Sequence, residues 1–116
     1  MSSTIPVRAL LMSSEIQDGD AGFHRLQFKV DAGRGDMSIV TVLISQDAHR
    51  KLAGQLARAR LPVAEKPQLL MTWARWEIAM RLEDYGMLPR TLTVTAKDLD
   101  DFGAYAIDLG RHLRAG

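Results

Sequence analysis

One stretch, Pro67 to Gly86 (PQLLMTWARWEIAMRLEDYG), limits the folds open to this chain more than any other. Proline at a first-turn position and glycine at the far end delimit one long helix. With successive side chains about 100° apart around the axis, the apolar residues fall into two stripes. Met71, Ala74, Ile78, Leu82 and Tyr85 line one side, and Leu69, Trp73, Trp76 and Met80 line nearly the opposite side. Glu77, Arg81 and Asp84 run between them on one flank, and Thr72, Arg75 and Glu83 on the other. A helix with one wet face carries a single stripe, so two stripes predict a helix covered from both sides. Met71, Ile78 and Leu82 are expected to face a sheet and to be almost fully buried.

The chain around that helix has 116 residues, room for one domain with its own core. Its 47% apolar and 25% charged residues are those of an ordinary globular protein, and the net charge of +1 gives no global pull towards nucleic acid. Cysteine is absent, which removes disulfides, thiolate metal sites and cysteine nucleophiles together and fits a reducing cytoplasm. The apolar run from Ala9 to Met12 is too short for the core of a signal peptide, and no stretch has the length of a membrane span. The expected location is cytoplasmic, with no membrane partner. Residues 1–6 read as a loose lead-in, and no linker divides the remainder.

Taken in order, Val7 to Ile16 reads as a first strand and Gln17 to Gly22 as a turn. In Phe23 to Val30, Leu26, Phe28 and Val30 alternate with Arg25, Gln27 and Lys29, the pattern of a sheet with one wet face; His24 is in phase with the apolar set. Met37 to Ser45 is apolar on both faces and suits a central strand. Ser45 then offers an N-cap for a helix running to about Arg60, with Ala48, Leu52, Leu56 and Ala59 on one face. After the Pro67–Gly86 helix, Thr91 to Thr95 reads as a fourth strand. Thr95 with Asp98 resembles a capping box opening a last helix, Ala96 to about Arg114, whose stripe is Leu99, Phe102, Ala106, Leu109 and Leu113. The order is β-β-β-α-α-β-α: an α+β domain in which an antiparallel sheet, a three-strand meander plus a fourth strand, is packed on one face by three helices.

No motif carries a reaction. His24, His49 and His112 lie on separate elements without metal-ligand spacing, and the reading is a half-buried His24 with the other two beside helix stripes. Asp98, Asp100 and Asp101 open a helix, where carboxylates serve the macrodipole. Gly33-Arg34-Gly35-Asp36 has the residues a hairpin loop needs. No catalytic residue, cofactor or metal is therefore assigned. Arg50, Lys51, Arg58 and Arg60 make the first helix basic and, with Arg34, form the set a nucleic-acid-binding regulator would use, although no aromatic residue is interleaved for base stacking. The Trp73 and Trp76 stripe is core beneath the last helix or else a partner surface, with Tyr105 and Ile107 as an apolar edge on that last helix. The expected function is that of a small non-enzymatic binding protein (accessory subunit, regulator or inhibitor) docking onto a larger protein or nucleoprotein, with a homodimer as one form. Nucleic-acid binding through the first helix is the alternative, and a small enzyme the lesser one.

Overall fold

A computed structural model describes residues 8–19, 21–31, 37–60, 65–101 and 109–110. Its elements are β1 (Arg8–Glu15), β2 (Phe23–Asp31), β3 (Met37–Ser45), α1 (Gln46–Arg58), α2 (Lys66–Tyr85), β4 (Thr91–Val94) and α3 (Ala96–Asp101). This is the expected order, in an open four-stranded sheet arranged β1-β2-β3-β4. The first three strands form the antiparallel meander. The fourth pairs parallel to β3, from Thr41 opposite Thr91 to Ile44 opposite Val94, so the sheet is mixed and not antiparallel throughout. Neighbouring parallel strands need a long crossover, and α1 and α2 together supply it.

Local chemistry accounts for the element ends. The Ser45 hydroxyl accepts the Ala48 N–H at 3.0 Å, capping α1. Gly86 closes α2 with φ of 70°, the left-handed conformation that glycine adopts without a Cβ penalty, and its N–H donates to Leu82 O at 2.8 Å. Asp98 takes the Glu role in a capping box, its carboxylate accepting the Thr95 N–H at 2.8 Å.

Strand alternation sorts the sheet into two unlike faces. His24, Leu26, Phe28 and Val30 of β2, Val40, Val42 and Ile44 of β3, and Leu92 and Val94 of β4 are all buried on the face towards the helices. They join Ala48, Leu52 and Leu56 of α1, Leu69, Leu70, Trp73, Ala74 and Ile78 of α2, Leu99 and Leu109 in one core. Leu99 and Leu109 of the last stripe thus reach the core, while Phe102, Ala106 and Leu113 lie outside the described residues.

α2 is covered all round, but not by the two stripes expected. Every residue from Leu69 to Leu82 is buried or half-buried. The deeply buried set is a single arc, Leu69, Leu70, Trp73, Ala74, Glu77 and Ile78, centred on the flank that carries Glu77. Ile78 is fully buried as expected, but Met71 and Leu82 are only half-buried, which corrects the expectation of near-complete burial for those two; Tyr85, at the end of the stripe, is exposed. The charged flank turns inward because its carboxylate is paired: Arg81 Nε donates to Glu77 Oε1 at 3.3 Å, one helical turn away. Arg75, on the other charged flank, faces the sheet. Its Nε donates to the backbone oxygen of Ala9 in β1 at 3.1 Å, and its guanidinium lies 5.9 Å from the Phe28 ring centroid.

Trp73 is the largest fully buried side chain of the core. Trp73→Ala is expected to lower unfolding free energy by about 3–5 kcal/mol, the usual cost of emptying an aromatic core site. Trp76→Ala, at a half-buried site, should cost clearly less, and urea unfolding of the two variants measures the difference.

Candidate functional site

Among the described residues, two places combine chemistry with exposure or an unsatisfied group: a histidine cluster at one end of the sheet, and the sheet face that carries no described helix.

The cluster forms because α1 starts immediately after β3, opposite the start of β2. His24 pairs across strands with Ile44, on the core face, and is wholly buried where half burial was expected. One turn into α1, His49 meets it edge-on, with ring centroids 6.1 Å apart and planes at 79°. His24 Nδ1 accepts the Gln17 N–H at 3.1 Å. Gln46, also buried, donates its side-chain amide to Ala21 O, and its backbone N–H donates to Gly22 O at 3.1 Å. Lys66 Nζ donates to Gln17 O at 3.1 Å. The loop between β1 and β2 is thereby tied to the starts of both long helices.

These surroundings fix the protonation of His24. Burial first, then the Lys66 ammonium and His49, against the pull of the Asp18 carboxylate, hold its pKa down from 6.5 to about 4. His49 is lowered as well, by burial and by Lys66. His24 is therefore neutral near pH 7. With Nδ1 accepting from a backbone N–H, the proton sits on Nε2. Its only nitrogen lone pair is engaged by Gln17, so the ring offers none to a metal ion or to a substrate proton. Nε2–H is buried and finds no acceptor among the described residues. The same residues contain no group of three or more His, Asp or Glu placed to hold a metal. His112 lies outside them. The cluster thus fastens one end of the fold.

The second place is the open face of the sheet. Alternation puts Arg8, Leu10, Ser13 and Glu15 of β1, Phe23, Arg25, Gln27 and Lys29 of β2, and Met37, Ile39, Thr41 and Leu43 of β3 on the side away from the core. Leu10 is 66% exposed, Ile39 54%, Met37 53% and Phe23 43%. Leu10, Lys29 and Ile39 form one cross-strand row, beside a row of Arg8, Asp31 and Met37. The next row is polar and tied sideways: Ser13 Oγ donates to Gln27 Oε1 at 3.0 Å, and Gln27 Nε2 to Thr41 Oγ1 at 3.4 Å. Met12, at the irregularity between Leu11 and Ser13, adds a side chain 53% exposed.

The residues singled out from sequence are dispersed. Trp73 is core and Trp76 half-buried, while Tyr105 and Ile107 lie outside the described residues. Of the basic set, Lys51 pairs with Asp100 of α3 and Arg50 with Asp47 in its own helix. Arg58 donates to Gly54 O at 3.3 Å, Arg60 is exposed in the turn just beyond α1, and Arg34 lies outside the described residues. Charge on the first helix is thus largely answered within the fold. Reading the open face in the sequence required carrying the alternation of Phe23 to Val30 across into the odd-numbered residues of β3. Comparison with protein-family models, with curated proteins and with solved structures finds no match. No described helix is long and apolar enough to cross a membrane.

The histidine cluster predicts how stability follows pH. Above 6.5 both folded and unfolded His24 are neutral. As pH falls from there to about 4, the unfolded chain takes up a proton that the folded chain refuses, so stability declines over that window. His49 acts in the same direction. His24→Asn keeps an acceptor for the Gln17 N–H but does not titrate. Denaturant melts at a series of pH values should show a shallower acid slope in this variant, even if its stability at pH 8 is lower.

Proposed function

We propose that this chain is a small non-enzymatic binding protein of the cytoplasm, an accessory subunit, regulator or inhibitor, that docks onto a larger protein or nucleoprotein through the open face of its sheet. One observation carries the reading: Leu10, Met37 and Ile39, each more than half exposed, lie on one face of the sheet, with no described helix over it. Scattered surface leucines are ordinary, whereas a contiguous apolar patch marks an interaction surface. The β1 edge of the sheet is a poorer candidate. β1 is interrupted at Met12, and the Ala9 carbonyl is already engaged by Arg75, two features that discourage a partner strand from adding there.

The test is crosslinking in cells that naturally express the protein, comparing wild type with Leu10→Glu/Ile39→Glu. The wild type is expected to trap a defined larger protein, and the variant to lose it while keeping a cooperative melt. Retention of the same partner by the variant, or the absence of any larger partner in the wild type, would refute the reading.

A further inference from the structure

The open face also has the properties of a homodimer surface. We infer that in the free protein it is covered by the same face of a second copy, sheet against sheet. This rests on the reading of that face as the docking surface and names its occupant when no larger partner is present.

Size is the first support. With strands about 4.8 Å apart and a rise of about 3.3 Å per residue, three long strands and a short fourth present about 500 Å² in plan. That is the same order as the ~800 Å² of accessible surface that each partner contributes to a standard interface. Two such faces pack about 10 Å apart when their side chains interdigitate, and Leu10, Met37 and Ile39 supply large apolar groups for that layer.

Charge is the second. A two-fold dimer brings a surface against itself, so its charges must be compensated within the patch. Arg8 stands opposite Asp31 across β1 and β2, and Glu15 opposite Arg25. Lys29 is the one cation of this register without a carboxylate directly across either strand, since its neighbours are Leu10 and Ile39. Its aliphatic stem can extend the apolar row, and the Asp31 carboxylate lies two residues along on the same face. The face is therefore apolar in one half, nearly neutral overall, and free of the like-charge block that would oppose self-pairing.

The sheet edge gives the third. Because β1 is interrupted at Met12 and its Ala9 carbonyl is engaged by Arg75, pairing along that edge is obstructed; β4, the other edge strand, is only four residues long, so the face offers the broader route to association.

Sedimentation equilibrium and light scattering on the purified full chain, from low micromolar to several hundred micromolar, test this directly. The mass is expected to rise with concentration from 12.9 kDa towards twice that value. The association should persist in 1 M salt, since apolar contact is not screened. Leu10→Glu/Ile39→Glu should weaken it by at least about tenfold in Kd, equivalent to about 1.4 kcal/mol. Tyr85→Glu/Met87→Glu alters two exposed apolar residues beyond the sheet and should leave it unchanged. A wild type that stays at 12.9 kDa throughout would overturn the dimer, as would equal damage by the two double variants. The docking proposal fails separately: a dimeric wild type that crosslinks to no larger protein would sink docking and leave the dimer standing, and a monomeric wild type that does crosslink would do the reverse.

Discussion

The packing of α2 depends on a carboxylate held inside. Glu77 lies at the middle of the helix's buried arc, flanked on the same arc by Trp73, Leu70 and Ala74. An unpaired charge there would be expelled, taking the arc with it, because desolvating a carboxylate costs several kcal/mol. Arg81, one turn on and one-third exposed, holds the charge while its own side chain reaches solvent. The helix can then press its Glu77 flank inward and use the opposite flank, through Arg75, to grip β1 and cover Phe28. One helix thus fixes both the core and the first strand. Trp73 belongs to this arrangement and Trp76 to its margin, so the tryptophans serve the fold before they can serve a partner.

Much of the architecture was legible because period and capping agree. β3 ends where Ser45 caps α1, α2 ends at Gly86, and the Thr95 and Asp98 pair marks α3, all from residue types with one physical use at those positions. The orientation of α2 was not legible. Glu77 and Arg81 look like a solvated flank, since a charged pair at that spacing is equally at home in water. Only tertiary packing decides that the pair lies inside. The direction of β4 was hidden for a related reason: TLTV reads the same in either sense, and the crossover through two helices sets it.

The candidate site was half legible. His24 falls in phase with Leu26, Phe28 and Val30, which places it on the core face, and its burial follows. Its meeting with His49 does not appear in any sequence spacing, because it arises from α1 folding back over the strand that precedes β3. The double apolar character of β3 was visible and its consequence was not. Val40, Val42 and Ile44 make it a core strand, while Met37 and Ile39 on its other side are more than half exposed. A strand apolar on both faces is normally buried on both. Here the crossover places every described helix that joins the core on one side, so the second apolar face has no described helix over it.

That face is itself divided. The Ser13, Gln27 and Thr41 row satisfies its side-chain groups sideways along the sheet, and a partner gains little by replacing hydrogen bonds already made. The Leu10, Lys29 and Ile39 row has no such internal satisfaction to lose, and covering it removes apolar surface from water. The boundary between the two rows is therefore a boundary in free energy as well as in polarity. Any partner that seats on this sheet gains most at the Met37 and Ile39 end of β3. At the opposite end, His24, Gln46 and Lys66 bind the loop between β1 and β2 to the helices, so the two ends of the sheet differ in how much of their polarity is already satisfied within the fold.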